Sequence, residues 1–205
     1  KIIDHFSFRN HVCIVTECLG QSLWDYMKAK TLEKQQANTR SPLSHKAVNY
    51  SLNSLKPLPF QQVKRIAFEV MTGLSVIHSR KIIHGDMKPE NILFTLDTNL
   101  PPDSASTQVA KHVKIIDFGS SCKEGELVYN YIQSRFYRAP EVVLGANYDT
   151  EIDIWSVGSI ICELLMGKPL FSAQNEVELL FKIIETIGQP PPSIINMQPN
   201  FCAKP

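Results

Sequence analysis

The sequence lacks paired cysteines, a long apolar run and an excess of charge, and each absence excludes a class of protein. Its five cysteines are scattered without a Cys-x-x-Cys pair, so neither a disulfide framework nor a zinc site is favoured and a reducing compartment is indicated. No apolar run approaches the roughly 18 residues of a membrane span. The formal charge is +1, which is too small to indicate nucleic acid or an anionic membrane as the principal partner.

The remaining composition is that of a soluble globular chain. Its 205 residues are enough to bury a sizeable core, and a content of 43% hydrophobic and 20% charged residues excludes disorder over the whole length. The chain begins without an initiator Met and without the zones of a secretory signal. We therefore expect an intracellular protein, cytoplasmic or nuclear, whose sequence starts partway into a longer polypeptide.

Short apolar runs predict strands, and polar stretches predict insertions. The runs at 2–3 and 12–15 predict a hairpin, which is only marginally stable unless other elements pack against it. Three further short strands are predicted at 81–83, 92–94 and 113–116. Residues 31–59 and 95–112 are polar and have no sustained period, so we expect surface insertions there, with a mobile loop in the first.

Two helices are predicted in the first half of the chain. Ser22, with Asp25 three residues later, resembles a capping box that opens a helix through Met27. Apolar residues at three- and four-residue spacing from Val63 to Ile77 predict a long amphipathic helix.

Two later helices are more apolar. A helix over 151–166, capped by Thr150 and ended by Gly167, is apolar nearly all round and is predicted to lie in the core. A last helix follows Asn175 and stops at Gly188. Its predicted packing face consists of Val177, Leu180, Phe181, Ile184 and Ile187.

A polar loop between two predicted strands carries the strongest chemical signal. From His84 the chain reads His-Gly-Asp-Met-Lys-Pro-Glu-Asn. Phosphoryl transfer from a nucleotide needs a carboxylate for the hydroxyl proton, a cation for the moving phosphoryl group and oxygen ligands for magnesium. Asp86, Lys88 and Asn91 supply this set. Asp117, which ends a buried strand and precedes Phe118 and Gly119, adds a second oxygen ligand.

These motifs, with the later run Ala139 to Glu141, resemble the catalytic-loop, DFG and APE signatures of protein kinases. The stretches 117–122 and 129–141 more specifically resemble the dual-specificity tyrosine-regulated kinases, the DYRK family. The resemblance implies a protein-kinase-like α+β fold. Residues 1–18 would be the end of the small lobe, with a remnant hairpin and the start of the hinge, and 19–205 a mostly helical large lobe with the two insertions.

The resemblance also implies roles for the residues of the reaction centre. Asp86 would be the catalytic base and Lys88 would contact the transferred phosphoryl group. Asn91 and Asp117 would hold Mg²⁺. Asp153, in the buried helix, would hold the backbone of the catalytic loop.

A second group would bind ATP. The Glu17 carbonyl and the Leu19 amide would meet the adenine edge, Leu93 would form the floor of the adenine site, and Glu90 belongs to the same nucleotide site. Thr16 falls at the gatekeeper position, where DYRK members usually have Phe, so the back of the pocket should be roomier here.

Tyr131 matches the tyrosine that such kinases phosphorylate on themselves during maturation. A phosphate there adds about two negative charges and needs cations. Arg135 and Arg138 lie four and seven residues on, and arginine can grip a phosphate with two hydrogen bonds. Most kinases have a further arginine for this phosphate, at the position of Gly85. DYRK members lack that arginine, as this sequence does.

The resemblance implies protein substrates with Ser or Thr, because Lys88 stands two residues after Asp86. It also implies a preference for proline after the phosphoacceptor and for basic residues upstream of it.

The sequence contains neither a Gly-rich loop nor a strand lysine of the small lobe. We also expect the C-terminal helices of the family to be missing. The fragment alone should therefore be nearly inactive. The alternative is a non-catalytic, kinase-like binding module or scaffold. A base and two magnesium ligands favour the enzyme, because a scaffold does not need them.

Overall fold

The computed structural model describes residues 1–38, 55–96, 112–126, 129 and 131–192. The rest of both predicted insertions lies outside these residues. Strands β1 (Ile2–Phe8) and β2 (His11–Thr16) pair antiparallel and form the predicted hairpin. Arg9 and Asn10 make its turn with φ of 48° and 62°, and most of its apolar side chains are exposed.

Two small antiparallel sheets bring the polar loops of the sequence together. In one, β3 (Ile82–Ile83) pairs with β6 (Cys122–Lys123). In the other, β4 (Ile92–Phe94) pairs with β5 (Val113–Ile115). The loop 84–91 joins β3 to β4, and the loop 116–121 joins β5 to β6. The two loops therefore lie side by side between the same pair of sheets.

The main core lies between two helices, α2 (Phe60–His78) and α4 (Glu151–Met166). The face of α2 that the spacing predicts is the buried one. The buried residues that meet there are Val63, Ile66, Val70 and Leu74 from α2 and Val157, Ile160 and Leu164 from α4. Met87, from the loop 84–91, belongs to the same core, so this loop (the catalytic loop below) packs against α2 and α4.

Helix α1 (Leu23–Asn38) extends well past the predicted start of the first insertion. Its first turn is held by Ser22, whose hydroxyl donates to Asp25 and accepts from the Asp25 amide, as the capping box predicts. Thr31 continues the helix and accepts a hydrogen bond from the Lys56 amide at 2.7 Å. Leu55 and Leu58 are buried, so the end of this insertion packs against the core.

The two last long helices confirm their predicted bounds and correct some details. Thr150 makes no side-chain cap on α4, although Gly167 ends this helix in the left-handed conformation as predicted. In α5 (Glu176–Ile187), Asn175 accepts from the Glu178 amide at 2.9 Å. A four-residue helix, α3 (Pro140–Val143), precedes α4. No helix among the described residues is long and apolar enough to span a membrane.

The predicted packing face of α5 is wrong. Leu179 and Ile183 are the buried residues and pack with Phe171, whereas Phe181 is 66% exposed. Apolar residues occupy most sides of α5, so spacing alone does not identify the side on which its neighbours lie.

Candidate active site

Three side chains converge on the carboxylate of Asp86. Lys88 Nζ lies 2.6 Å from Oδ2, and Asn91 Nδ2 donates to the same oxygen at 3.2 Å. Ser134 Oγ donates to Oδ1 at 2.8 Å. The structure therefore brings together Asp86, Lys88 and Asn91, the residues of this loop to which the sequence analysis assigns chemical roles. Ser134 comes from a segment 48 residues away, and sequence reasoning did not identify it.

The backbone of the catalytic loop is held from below by Asp153, as predicted. The fully buried Asp153 carboxylate accepts hydrogen bonds from the His84 and Gly85 amides, at 2.8 and 3.0 Å. It also contacts His78 Nε2 at 2.9 Å. His78 ends helix α2, and nothing in its local sequence distinguishes it from an ordinary histidine. The contacts fix the loop relative to α2 and α4.

His84 joins the catalytic loop to the loop that carries Asp117. Its Nδ1 accepts from the Asp86 amide at 3.2 Å, which leaves Nε2 to donate to the Ile116 carbonyl at 2.9 Å. Its ring packs against Phe118 in an edge-to-face arrangement with centroids 5.0 Å apart. These contacts place Asp117 beside the catalytic loop.

Asn91 and Asp117 fit the chemistry of a magnesium site. Because Asn91 Nδ2 donates to the Asp86 carbonyl and carboxylate, its Oδ1 remains available as a metal ligand. The Ile116 amide donates to the Asn91 carbonyl at 2.9 Å, so Asp117 follows directly after a residue paired with Asn91. Within the described part of the chain, no three His, Cys, Asp or Glu side chains form a metal site. A magnesium ion there would need phosphate oxygens as further ligands.

The segment 20–22, which follows the predicted nucleotide residues Glu17 and Leu19, pairs with β4. The Gly20 amide donates to the Phe94 carbonyl at 2.7 Å, and Ser22 forms a β-bridge with Leu93. The Glu17 carboxylate is bound by Lys114 Nζ at 2.7 Å, and this hydrogen bond is the main cause that holds the pKa of Glu17 well below its usual value. The Glu17 carboxylate is therefore engaged. Its amide donates to the Lys1 carbonyl at 2.9 Å, and its carbonyl accepts a 3.3 Å hydrogen bond from the Thr16 hydroxyl.

A cavity of about 610 Å³ opens beside Lys88. Glu90, Tyr137 and Glu163 contribute to its lining. Glu163 is fully buried, and its Oε2 accepts from the Tyr137 hydroxyl at 2.7 Å. Its Oε1 has no hydrogen-bond partner among the described residues. Burial raises the pKa of Glu163 to about 7, although the Tyr137 hydroxyl opposes this effect.

The stretch 131–138, called the activation segment below, places Tyr131 next to the predicted arginines. The Arg138 guanidinium lies over the Tyr131 ring, 3.8 Å from its centroid. Arg135 and Arg138 are brought together by Glu176, whose Oε1 lies 3.4 Å from Arg135 Nε and 3.1 Å from Arg138 Nη1. The Tyr131 hydroxyl donates to the same oxygen at 2.8 Å. Sequence reasoning missed Glu176, which follows Tyr131 by 45 residues.

Gly85 is required by its close contact with this segment. Its φ is +75°, and a Cβ there would lie 2.5 Å from Ile132 Cδ1 and 2.9 Å from the Ser120 carbonyl oxygen. The Gln133 amide donates to the Gly85 carbonyl at 3.0 Å. Ile132 therefore packs against the loop at the position where most kinases carry an arginine.

Comparison with known proteins agrees with this geometry. Residues 1–200 match the protein kinase domain family. The chain is 42% identical over 193 residues to the DYRK-family kinase pom1 of Schizosaccharomyces pombe, which covers 94% of this chain and 15% of pom1. It is 38% identical over 200 residues to the dual specificity protein kinase YAK1 of Saccharomyces cerevisiae, covering 98% and 21% of the two chains.

A human relative gives the same picture. The chain is 39% identical over 194 residues to human dual specificity tyrosine-phosphorylation-regulated kinase 3, covering 95% of this chain and 27% of that protein. The chain thus spans between 15% and 27% of the length of these three relatives. The predicted protein-kinase-like α+β fold and the resemblance to the DYRK family are confirmed, and the chain belongs to the protein kinase family.

Proposed function

We propose that the protein is an ATP-dependent serine/threonine protein kinase. The observation that carries the proposal is the Asp86 carboxylate, held by Lys88, Asn91 and Ser134 at distances of 2.6 to 3.2 Å. A carboxylate in this setting is oriented, and an adjacent cation is available for a phosphoryl group. The similarity to serine/threonine and dual specificity kinases supports the same conclusion.

In the proposed reaction, Asp86 orients a serine or threonine hydroxyl and accepts its proton. The hydroxyl oxygen forms a bond to the γ-phosphorus of ATP as the bond to the β–γ bridging oxygen breaks, which releases ADP. Lys88 stabilises the negative charge on the phosphoryl oxygens. Asn91 and Asp117 would hold Mg²⁺, which supplies charge neutralisation for the phosphates when bound.

We propose that residues 1–18 are the end of the small lobe and that 19–205 are the large lobe, with ATP between them. The Glu17 carbonyl and the Leu19 amide would bind the adenine edge, and Leu93 would form the floor. Support comes from the pairing of residues 20–22 with β4, which brings the chain that follows Leu19 beside Leu93. Glu90, after Lys88 in the catalytic loop, would complete the nucleotide site.

The cavity beside Lys88 supports a substrate with a basic residue upstream of the phosphoacceptor. Glu90 and Glu163 contribute carboxylates to it, and Glu163 Oε1 is buried without a partner among the described residues. An arginine side chain in this cavity would donate to the Glu90 carboxylate and would balance the negative charge of the buried Glu163. The preference for proline after the phosphoacceptor follows from the resemblance alone and completes the proposal.

We also propose that the kinase phosphorylates its own Tyr131 and acts inside the cell, in the cytoplasm or nucleus. Arg135 and Arg138 lie close to the Tyr131 side chain and supply the cations that a phosphate needs. Cys13, Cys18, Cys122 and Cys162 are free thiols, which suits a reducing compartment.

The test is phosphoryl transfer by the full-length protein from labelled ATP and Mg²⁺ to a serine peptide with an upstream arginine. Asp86→Asn should lower the turnover number by about 100-fold or more and leave ATP affinity unchanged, because the base acts on the hydroxyl. Asp4→Asn, an exposed change of the same chemistry, is the control. ATP binding without transfer by the wild-type protein would contradict the proposal and favour a kinase-like binding module.

A further inference from the structure

One carboxylate occupies the centre of the group around Tyr131. Glu176 Oε1 accepts the Tyr131 hydroxyl hydrogen bond at 2.8 Å and lies within 3.4 Å of both Arg135 and Arg138. A phenol and two guanidinium groups thus share a single anionic oxygen. A phosphate on Tyr131 would require the same two arginines as ligands. In the unphosphorylated chain these arginines already face an anion, the Glu176 carboxylate.

Arg138 does not depend on this anion for its position. It is 2% exposed, and it donates to the Ile132 and Gln133 carbonyls at 2.9 and 2.7 Å. The guanidinium is therefore fixed by backbone and remains in place if Glu176 moves away.

Arg135 is fixed in a similar way and keeps an unused donor. Its Nη1 donates to the Gln174 carbonyl at 2.8 Å. Its Nε is enclosed and makes no hydrogen bond within the described residues, although Glu176 lies 3.4 Å away. A phosphate has more oxygens than a carboxylate, so it can satisfy the donor that Glu176 leaves unpaired.

The Glu176 side chain can move away from the two arginines without disturbing the core or the start of α5. It is the first residue of α5, and its side chain is 38% exposed. The helix is capped by Asn175, which accepts from the Glu178 amide, so its start does not need Glu176. The hydrogen bond from the Tyr131 hydroxyl, then the one from the Glu176 backbone amide and the charges of the two arginines, lower the pKa of Glu176 to about 2, which keeps it ionised near neutral pH.

We propose that Glu176 is an internal stand-in for the phosphate of Tyr131: it supplies the negative charge that faces Arg135 and Arg138 in the unphosphorylated protein, and it leaves when Tyr131 is phosphorylated. The proposal rests on the proposed phosphorylation of Tyr131. A phosphate on the Tyr131 hydroxyl would lie next to the Glu176 carboxylate, and the two anions would repel each other. The phosphate carries about two negative charges, so it attracts the arginines more strongly than the carboxylate does. Glu176 thereby orders the segment before phosphorylation and opposes the phosphorylated state.

The test compares full-length protein treated with a tyrosine phosphatase with protein in which phosphotyrosine is inserted at residue 131 during translation. Amide hydrogen exchange over 131–138 reports how well the segment is held. In the unphosphorylated form, Glu176→Gln should speed exchange by roughly threefold to tenfold, because the negative charge that links the Tyr131 hydroxyl to the two arginines is lost. In the phosphorylated form the same change should leave exchange unchanged or slower.

Two further variants sharpen the comparison. Glu185→Gln, an exposed change on the same helix, should alter neither form. Glu176→Ala should match Glu176→Gln, and loosening by Glu176→Ala alone would show that side-chain packing and not charge matters, which overturns the proposal. Equal loosening of both forms by Glu176→Gln, or no change in the unphosphorylated form, would also overturn it. Because the phosphate is inserted during translation, a failure of the protein to phosphorylate itself would contradict the proposed function only.

Discussion

The Ser134 hydroxyl donates a 2.8 Å hydrogen bond to Oδ1 of Asp86, and through it the activation segment touches the predicted catalytic base. Lys88 and Asn91 bind the other carboxylate oxygen, so each oxygen of Asp86 has its own partners. The orientation of the carboxylate thus depends in part on the segment that also carries Tyr131. This contact gives Tyr131 a physical connection to the reaction centre.

Ser134→Ala should lower the turnover number about tenfold while leaving the KM for ATP unchanged, because one of the hydrogen bonds that orient Asp86 is lost and the nucleotide site is untouched. Steady-state kinetics on the full-length protein measure both quantities. Ser134→Thr keeps the hydroxyl and should retain most of the turnover. An alanine variant with wild-type turnover would remove Ser134 from the positioning of Asp86.

The buried carboxyl of Glu163 predicts a pH dependence of substrate choice. Its pKa of about 7 means that it gains its charge as the pH rises through neutrality. The KM for a peptide with an upstream arginine should therefore fall between pH 6 and pH 8, relative to a peptide with a neutral residue there. Glu163→Gln should abolish this difference, and an unchanged pH profile in that variant would contradict the role of Glu163.

The raised pKa of Glu163 also predicts how the free energy of unfolding changes with pH. The folded pKa of Glu163 lies above its value of 4.5 in the unfolded chain, so the unfolded state loses its proton first as the pH rises. Glu163 should therefore reduce the free energy of unfolding between about pH 4.5 and pH 7, by at most about 3 kcal/mol, with no further change above that range. Denaturant unfolding of wild type and Glu163→Gln, each across this range, isolates the effect by difference.

Tyr131→Phe should lower the activity of the full-length protein about tenfold, since the phosphate that the arginines would grip cannot form. Arg135→Ala should reproduce this loss and make activity insensitive to a tyrosine phosphatase. Arg135 is the better arginine to change, because Arg138 also holds two backbone carbonyls. Tyr129→Phe is the matched control and should have a milder effect. Full activity of Tyr131→Phe would refute the assignment.

Local motifs allowed the sequence to predict the catalytic loop and the bounds of α4 and α5. What it could not predict depends on contacts between distant segments. Ser134 and Glu176 look like ordinary polar residues, and their partners lie 48 and 45 residues away. The buried side of α5 was mispredicted because neighbouring residues such as Phe171, and not helical spacing, decide which apolar residues are covered.

The contact between Gly85 and Ile132 predicts a large cost for adding a single methyl group. Gly85→Ala should lower the free energy of unfolding by about 2–4 kcal/mol, because alanine is strained at φ +75° and its Cβ would overlap Ile132 and the Ser120 carbonyl. Denaturant unfolding of the full-length protein measures this cost.

Gly125→Ala separates the two causes, because Gly125 has a φ of +82° but nothing lies within 4 Å of an added Cβ. It should cost only the backbone strain, about 1 kcal/mol. Ile132→Ala removes the nearest atoms, so adding it to Gly85→Ala should cost less than the sum of the two single changes. The Ser120 carbonyl remains close, so the recovery should be partial. Equal costs for Gly85→Ala and Gly125→Ala would show that Ile132 does not press on the catalytic loop.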